Sequence, residues 1–401
     1  MKLALVIDDY MPKSTRVGAK MFHELAIELQ NRGCKVTVIT PESKLDKSLQ
    51  VDEFDGVTVW RFKSGHIKET GRVNRAINES LLSIRAWIAL KGQVEENTFD
   101  GVVYYSPSIF FGGLVKKIKA RCNCLAYLVL RDLFPQWVID ARLIKSNSLI
   151  AKYFRFFERY SYRQATTIGL MSEKNMEVFR QLNSRTYPTQ ILRNWASTSS
   201  YSVVSDQYSS IRKTFSLEDK VIYFYGGNIG VAQDMPNLMR LAKGMKPYRK
   251  AHFLFVGQGD QVELVKKLAD EWKLNNFTFL PSVDQNTFKC ILSEIDVGLF
   301  SLATHHTAHN FPGKLLGYMV ESKPILGSVN EGNDLIDIIS GYKAGLIHIN
   351  GHDDLLQDSA VKLLNSIKLR KEIGTKANFL LRNEFSVEAA AESILTSLAK
   401  G

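Results

Sequence analysis

A short apolar run that ends in glycines decides the fold class: Val221-Ile222-Tyr223-Phe224-Tyr225-Gly226-Gly227-Asn228-Ile229-Gly230. Its first five residues are apolar or aromatic and predict a buried strand, and a helix is expected to begin near Asp234. The same succession of strand, loop and helix recurs along most of the chain. Short apolar strands separated by helices predict parallel sheets that are covered by helices on both faces.

Two such series follow each other along the chain. The first begins with a strand at Leu3–Ile7 and a helix at Val17–Asn31, which Gly33 is expected to cap. Its further strands are expected at Val36–Ile39, Val57–Phe62, Gly101–Tyr105, Ala126–Leu130 and Thr167–Met171. The second adds His252–Val256, Phe277–Leu280, Val297–Phe300, Ile325–Ser328 and Leu346–Ile349 to the strand at 221–225. We therefore expect two doubly wound α/β domains, at 1–195 and 196–382, and a closing helix at 383–401 that packs across the domain junction.

Composition sets the broad class. The chain has 401 residues, of which 45% are hydrophobic and 23% charged, as in an ordinary globular protein of two or three domains. Its apolar runs are far shorter than the ~20 residues of a membrane span. The apolar run at the start is too short for a signal peptide, so we expect a cytosolic protein. The four cysteines lack metal-ligand spacing and are expected to be reduced packing thiols.

The positive charge is unevenly distributed. Residues 1–195 hold 30 Lys and Arg against 19 Asp and Glu, whereas residues 196–401 hold 22 of each. A basic first half suggests an anionic partner, whether nucleic acid, a phosphorylated ligand or an acidic membrane surface. Phe110–Arg121 and Tyr153–Tyr160 interleave cationic with apolar residues, as interfacial helices do, although an ordinary amphipathic core helix would explain either alone. The sequence has no zinc-finger spacing, no RNA-recognition signature and no basic region with heptads, which favours a membrane surface over nucleic acid.

In open α/β sheets ligands bind at the carboxyl ends of the strands, so the loops after the strands are the candidate sites. The glycines of 226–230 would let the backbone approach a phosphate closely, although a tight structural turn would use the same residues. Gly257-Gln258-Gly259 and Pro281-Ser282-Val283 also follow strands, and both could present backbone to a nucleobase, although a plain structural turn would explain either one.

The most specific segment is 305–319, His-His-Thr-Ala-His-Asn-Phe-Pro-Gly-Lys-Leu-Leu-Gly-Tyr-Met. Pro312 suits the first turn of a helix. Lys314 would lie near the N-terminus of that helix, where its charge opposes the helix dipole, so an anion such as a diphosphate is expected between them. A solvated lysine is the alternative. Zinc is not expected, because the three histidines share their spacing with no carboxylate or cysteine.

The first half offers two candidate loops. Arg131 and Asp132 follow a strand and are expected to project into a strand-end cleft, unless they form only a loop ion pair. Arg16 and Lys20 follow the first strand and could meet an anionic acceptor, although solvated surface charge would explain both equally well.

These segments together resemble a family 4 glycosyltransferase, of the two-domain type called GT-B, over nearly the whole chain. The matching segments are Gly18, Arg131–Pro135, Gly226–Gly230, Val256–Gly259 and Pro312–Met319. The Asn-Phe-Pro-Gly-Lys form resembles the bacterial subgroup that transfers N-acetyl-L-fucosamine during O-antigen or capsule assembly.

The resemblance implies two Rossmann-like domains facing across a cleft, with C-terminal helices crossing the junction. The first would bind the acceptor through Arg16, Gly18 and Lys20 and face the membrane, and the second would bind a UDP-sugar. It implies metal-independent transfer, with retention, of N-acetyl-L-fucosamine to GlcNAc on undecaprenyl diphosphate at the inner face of the plasma membrane. The catalytic candidates are Lys314, Asp132 and Arg131. The donor-binding candidates are Gly227, Asn228, Gly230, Gly257, Ser282, Val283, His309, Asn310, Gly313 and Glu331.

The sequence departs from this family in one respect that concerns the site. His309 and Gly317 replace the usual pair of glutamates, which leaves Asn310, Glu331 or Asp334 as substitutes. The usual Arg/Lys pair after the glycine loop is also missing, since Asn228 and Gln233 stand there, so Lys314 is expected to carry more of the diphosphate's charge.

Two other functions remain open. A UDP-sugar 2-epimerase shares the architecture and needs no lipid partner, and it would convert a UDP-sugar without any acceptor. A non-catalytic protein that binds membranes or nucleic acid could be built on the basic half, but UDP would then give the second half no protection against heat.

Overall fold

The computed structural model describes residues 1–12, 14, 16–67, 71–106, 108–140, 142–198, 208–304 and 311–399. The chain forms two compact units. Unit 1 comprises Met1–Trp195 together with Val387–Gly401, and unit 2 comprises Ala196–Ser386. Each unit contains one sheet and its own hydrophobic core.

Unit 1 contains an eight-stranded sheet, as far as the described residues show. Its strands are β1 (Lys2–Val6), β2 (Lys35–Glu42), β3 (Leu49–Phe54), β4 (Val57–Lys63), β5 (Gly101–Ser106), β6 (Leu125–Leu130), β7 (Thr167–Leu170) and β8 (Thr189–Ile191). They lie in the order β3-β4-β2-β1-β5-β6-β7-β8, and they pair in parallel apart from the antiparallel edge pair of β3 and β4. The strand order reverses beside β1, which is where open α/β sheets bind ligands.

Helices cover both faces of this sheet. They are α1 (Val17–Asn31), α2 (Arg72–Ser80), α3 (Leu82–Leu90), α4 (Gly112–Cys122), α5 (Gln136–Asp140), α6 (Leu149–Tyr162) and α7 (Glu173–Leu182). Alternate residues of β1 enter opposite clusters: Ala4 and Val6 pack with the residues of α3 and α4, whereas Leu3 and Leu5 pack with those of α1. A strand buried on both faces must be apolar along its whole length, which is why β1 reads as a continuous hydrophobic run.

The C-terminal helix, α16 (Val387–Ala399), belongs to unit 1. Ile394 and Leu398 are buried in the cluster that α1 also enters. At the surface, Arg32 Nη1 donates to Glu392 Oε2 at 2.5 Å, and Gln190 Nε2 donates to Ser393 Oγ at 2.9 Å. The last helix therefore completes a core whose other residues all precede Ala196.

Unit 2 contains a six-stranded parallel sheet among the residues described. Its strands are β9 (Val221–Asn228), β10 (Ala251–Gln258), β11 (Phe277–Pro281), β12 (Val297–Ser301), β13 (Ile325–Val329) and β14 (Gly345–Ile349). Its helices are α8 (Ile211–Thr214), α9 (Met235–Gly244), α10 (Val262–Glu271), α11 (Gln285–Glu294), α12 (Lys314–Val320), α13 (Leu335–Gly341), α14 (Asp353–Asn365) and α15 (Ile367–Leu380). The order β11-β10-β9-β12-β13-β14 is that of the Rossmann fold, whose switch point lies between β9 and β12.

The predicted elements agree closely with the observed ones. The helix predicted at Val17–Asn31 has those bounds, and Gly33, at φ +80°, takes the left-handed conformation expected of a cap. Strand β3 was not predicted, because its sequence Leu-Gln-Val-Asp-Glu-Phe is polar and half exposed. Such a strand depends on pairing with its neighbour, here β4, and its charges are typical of a protected sheet edge.

Two further expectations concern the chain as a whole. In the described ranges no helix is long and apolar enough to cross a membrane. Cys34, Cys122, Cys124 and Cys290 are all buried and none forms a disulfide, so the prediction of packing thiols is confirmed.

Candidate functional site

The switch point of unit 2 brings together the loop after β9 and the start of α12. Gly227 and Asn228 are exposed at the carboxyl end of β9, next to Gly257 and Gln258 at the end of β10. Gly313 precedes the first residue of α12, Lys314. Most of the predicted donor-binding residues of unit 2 therefore lie along one edge of the sheet, as strand-end loops in this fold do.

Two glycines in these loops are required by their geometry. Gly227 has φ +113°, a conformation that L side chains rarely adopt. Gly257 has an ordinary φ, but a Cβ built on it would lie 1.9 Å from the carbonyl oxygen of Gly227. The ends of β9 and β10 can therefore approach each other only because both positions lack a side chain. This leaves backbone exposed at Gly227, as close approach to a ligand requires.

Lys314 lies against this glycine loop. Its Nζ is 3.5 Å from the centre of the Tyr225 ring, and its Cε would be 3.9 Å from a Cβ at Gly227. The Tyr225 hydroxyl donates to the carbonyl oxygen of Asn228 at 2.5 Å, which ties the ring to the loop. In the part of the chain that the structure describes, no ion pair ends on Lys314. Burial lowers the pKa of Lys314 to about 7, so this ammonium lacks the compensation that an anion would give it.

A second tyrosine fixes α12 to the sheet. Tyr318 is fully buried, and its hydroxyl can donate to the carbonyl oxygens of Leu299, at 3.0 Å, and Phe224, at 3.3 Å. The Gly226 N–H donates to the same hydroxyl at 3.4 Å. Because Tyr318 is four residues after Lys314, it lies one helical turn further along α12 and sets the position of the lysine over the loop. Sequence reasoning assigned no role to Tyr225 or Tyr318. A tyrosine one turn after the lysine was the available signal.

Polar side chains surround the glycine loop. Asn228 Nδ2 donates to Gln233 Oε1 at 2.9 Å. Gly230 is buried beside this pair, and a Cβ built on Gly230 would lie only 2.7 Å from Asn228 Nδ2. Ser282 Oγ donates to Gln258 Oε1 at 3.1 Å, which joins the loops after β10 and β11. Val283 is half-buried and packs against the hydrophobic core of the unit. The loops expected to face a nucleobase are therefore adjacent.

The loop after β13 supplies the acidic residues. Glu331 is exposed at its tip, beside Gly332 at φ +74°. Asp334 is half-buried, and its Oδ2 lacks a hydrogen-bond partner in the described structure. A buried carboxylate oxygen without a donor is available to a ligand hydroxyl. Asn310, the third candidate for this role, and His309, another donor-binding candidate, lie outside the described residues.

Arg131 does not project from the strand end as expected. Its side chain is buried and turns into unit 1, where the two Nη atoms donate to the carbonyl oxygens of Leu192, at 2.7 Å, and Arg193, at 3.0 Å. The guanidinium carbon also lies 5.1 Å from the centre of the Trp195 ring, and burial lowers the pKa of this arginine to about 10. The inward orientation supplies hydrogen-bond donors to these two backbone carbonyls, as backbone groups shielded from water require.

The remaining candidates of unit 1 lie after two of its strands, Asp132 after β6 and Arg16 after β1. Asp132 is half-buried, and burial raises its pKa although Arg131 opposes the shift. The charge of Asp132 raises the pKa of Tyr105 and that of Arg131 lowers it, so both lie near its hydroxyl. The same hydroxyl fills the space beside Gly18, because a Cβ built on Gly18 would lie 3.0 Å from it.

The two predicted acceptor cations, Arg16 and Lys20, are exposed and each lies 3.7 Å from a carboxylate, of Asp9 and Glu24 respectively. Among the residues described, no group of three His, Cys, Asp or Glu is placed to hold a metal ion.

The chain is similar to known proteins both in sequence and in fold. No protein-family model matches the chain. The putative colanic acid biosynthesis glycosyl transferase WcaI of Escherichia coli is 22% identical over 91% of this chain and 97% of its own length. The probable glycosyltransferase WbjE of Pseudomonas aeruginosa is 25% identical, but the match covers only 53% of each chain.

Two solved structures are similar over their whole length. WaaG, a glycosyltransferase involved in lipopolysaccharide biosynthesis, superposes with a TM-score of 0.64 at 14% identity, covering all of both chains. Anabaena HepE in complex with UDP and glucose gives 0.69 at 13% identity, again covering all of both chains.

The fold is that of the GT-B glycosyltransferases. The predicted class, α/β with two Rossmann-like parallel-sheet domains, is therefore confirmed. The prediction of a glycosyltransferase is confirmed as well, because the curated relatives WcaI and WbjE bear that name.

Proposed function

We propose that this glycosyltransferase takes a UDP-sugar as donor and transfers the sugar to a lipid-linked saccharide during the assembly of a bacterial surface polysaccharide. The observation that carries the proposal is the position of Lys314, whose ammonium rests on Tyr225 beside the exposed backbone of Gly227. A positive side chain and bare backbone at a Rossmann switch point form a site suited to a nucleoside diphosphate.

The chemistry of transfer explains why such a site would be catalytic. Breaking the bond at the anomeric carbon leaves negative charge on the departing diphosphate. The Lys314 ammonium and backbone amides of 227–230 would stabilise that charge more strongly than they stabilise the intact donor. The amide of Ile229 is excluded from this set, because it donates to the Gln258 carbonyl at 2.9 Å. Removing one such donor typically costs about 2.7–4 kcal/mol of transition-state stabilisation. We propose that the reaction needs no metal ion, since Lys314 already supplies a cation beside this loop.

The names of similar proteins support the donor and the pathway. HepE was solved with UDP and glucose, which supports a UDP-sugar donor. WcaI is named for colanic acid biosynthesis and WaaG for lipopolysaccharide biosynthesis, which supports a role in O-antigen or capsule assembly. The Asn-Phe-Pro-Gly-Lys segment at 310–314 leads us to propose family 4 membership, transfer with retention, and N-acetyl-L-fucosamine as the sugar.

Unit 1 would bind the acceptor, which we propose to be GlcNAc on undecaprenyl diphosphate. Asp132 and Arg16 lie on loops that follow strands of its sheet, and Lys20 lies in the first turn of α1. Asp132 would orient the acceptor hydroxyl, and the donor's own phosphate would help to remove its proton, so that no separate base is required. A lipid-linked acceptor requires a cytoplasmic enzyme bound to the inner face of the plasma membrane, and the basic excess in residues 1–195 supports this location.

The test is a screen of UDP-sugars with synthetic GlcNAc-diphosphate-lipid, read by mass spectrometry. We expect a product heavier than the acceptor by one N-acetylfucosamine residue, and a loss of at least about a hundredfold in turnover for Lys314→Ala. Conversion of the UDP-sugar without acceptor would instead identify an epimerase. Transfer by Lys314→Ala at the wild-type rate would refute the role of the lysine.

A further inference from the structure

Helix α6 carries a stripe of exposed apolar and aromatic side chains. Leu149 is 83% exposed, Tyr153 40% and Phe156 63%, and Tyr160 continues the stripe with its ring stacked on that of Phe156 at 6.2 Å. The spacing of four, three and four residues places all of them on one side of the helix. The opposite side, which includes Ala151 and Tyr162, is buried in unit 1, so the orientation of the stripe is fixed.

A stripe of cations runs beside it. Lys152, Arg155, Arg159 and Arg163 follow one another at intervals of three, four and four residues. Arg155 is bound to Glu158 at 3.2 Å and to Gln136 of α5. The other three are exposed, and in the part of the chain that the structure describes no ion pair ends on any of them. Their charges repel one another. Glu158 is buried on the same helix, and the charges of Arg155 and Arg159 both act on it, so the four cations of the stripe outnumber this one carboxylate.

These cations line a cavity of about 390 Å³. Ser146 and Asn147 form its other polar walls, and the rings of Phe156 and Tyr160 close the side that adjoins the apolar stripe. A concave site with several converging cations and hydroxyl or amide groups fits a phosphate group.

The surroundings of α6 share its character. Trp137 on the neighbouring α5 is 52% exposed, and Leu143 and Ile150 are exposed as well. Residues 112–163 hold 11 Lys and Arg against 3 Asp and Glu, so most of the net charge of +11 lies in this stretch. Large exposed apolar groups therefore occur in the same stretch of the chain as most of the excess positive charge.

We propose that the α6 surface, defined by Leu149, Lys152, Tyr153, Phe156, Arg159 and Arg163, docks on an anionic lipid bilayer, with the cavity holding a lipid phosphate. This deepens the membrane partner of the proposed function. A bilayer satisfies both stripes, because the apolar side chains enter the acyl boundary while the arginines and lysine stay among the headgroups. A nucleic acid would neutralise the cations but would leave Leu149 and Phe156 in water.

The electrostatic half is tested by co-sedimentation with vesicles of phosphatidylcholine, with and without phosphatidylglycerol. We expect binding only with the anionic lipid, weakened by salt. The double variant Arg159→Gln/Arg163→Gln should bind about 30-fold more weakly, at about 1 kcal/mol for each basic residue near the surface. The matched control is Lys368→Gln/Lys371→Gln on α15, which removes two exposed charges from unit 2 and should bind as the wild type does.

The apolar half is tested by Leu149→Ser/Phe156→Ser, which should reduce binding at least tenfold, because each side chain loses its burial in the bilayer. The control is Ile367→Ser/Phe379→Ser, which replaces two side chains of α15 that are 62% and 57% exposed. Unchanged binding of the Leu149/Phe156 variant would mean purely electrostatic adsorption and would overturn the proposal. Every variant replaces exposed residues, and unchanged thermal unfolding would confirm its fold.

Trp137 gives a direct optical readout. Its fluorescence should shift to the blue when the anionic vesicles are added, and Trp137→Phe should abolish most of that change. Inorganic phosphate serves as the competitor. If it displaces the vesicles completely at millimolar concentration, the cavity binds soluble phosphate and the bilayer is not its partner. Binding of duplex DNA or RNA in preference to the vesicles would also overturn the proposal.

Protection by UDP against heat, measured in parallel, separates this proposal from the proposed function. Vesicle binding that fails while UDP stabilises the protein would overturn the α6 surface and leave the donor site standing. Vesicle binding that depends on α6, without any effect of UDP, would support the α6 surface and refute the donor site.

Discussion

The affinity for UDP should depend on pH through Lys314. Burial lowers the pKa of this lysine to about 7, so about half of the unliganded molecules carry the ammonium at that pH and about one in a hundred at pH 9. A bound diphosphate favours the charged form and raises the pKa again, so the protein must take up a proton when UDP binds above pH 7.

The magnitude follows from this linkage. Each pH unit above the pKa of the unliganded lysine costs about 1.36 kcal/mol, as long as the bound lysine stays charged. Between pH 7 and pH 9 the dissociation constant should therefore rise about 50-fold, or by about 2.3 kcal/mol. Below pH 6 this lysine should contribute no further dependence. Burial moves the pKa values of Tyr225 and Tyr318 upward, away from this range.

Isothermal titration calorimetry with UDP at constant ionic strength measures the effect, and buffers of different ionisation enthalpy count the proton taken up. Lys314→Met should bind more weakly at pH 7 and lose the slope. Lys323→Met is the matched control, because Lys323 is another lysine of unit 2 whose pKa burial lowers, and its Nζ donates to Ser293 O away from the glycine loop. An equal slope in the wild type and Lys314→Met would refute the reasoning.

Three other substitutions test the packing at the carboxyl ends of the strands, two of them in unit 2 and one in unit 1. Gly257→Ala should destabilise unit 2 by about 1–3 kcal/mol and weaken UDP binding, because the new Cβ would collide with the Gly227 carbonyl. Gly341→Ala is the control, because a Cβ at that position would meet no atom within 4 Å. Equal urea midpoints for the two variants would contradict the prediction. Tyr318→Phe should lower the free energy of unfolding by about 1–2 kcal/mol in a urea titration, because the Leu299 carbonyl loses this donor. In steady-state kinetics it should reduce turnover more than substrate affinity. An unchanged kcat would exclude a positioning role for Tyr318. Arg131→Met should lower the free energy of unfolding by about 3 kcal/mol in the same titration, because the buried carbonyl of Leu192 and the partly buried carbonyl of Arg193 lose the donors of Arg131. A loss of activity without a loss of stability would restore its catalytic role.

The sequence was sufficient for the fold where the elements are locally determined. The helix at 17–31, six of the eight described strands of unit 1 and the six described strands of unit 2 were predicted within a few residues, because continuous apolar runs and capping glycines mark buried parallel strands and helix ends. The three-residue strand β8 (Thr189–Ile191) was not predicted. The edge strand β3 escaped prediction since its residues are mostly polar, and only pairing with β4 makes it a strand.

The site was predicted less completely, because side-chain direction depends on partners that are distant in sequence. The position of Lys314 at the start of α12 could be predicted, but its contact with Tyr225 joins residues 89 positions apart. Arg131 was expected to face a ligand and is instead buried against carbonyls at 192–193, a contact over about 60 residues. Burial of this kind is a tertiary property that local pattern does not encode.

The return of α16 to unit 1 has a consequence for how the protein is made. A ribosome releases residues 196–386 before it has synthesised the helix that unit 1 still lacks, so the later unit can reach its native state first. The earlier one must wait, with the site for Ile394 and Leu398 open to water, until residues 387–399 have been translated. A gene fragment that stops at Trp195 would encode an unfinished domain, and expressing it alone should require the last helix to be fused to it through a linker.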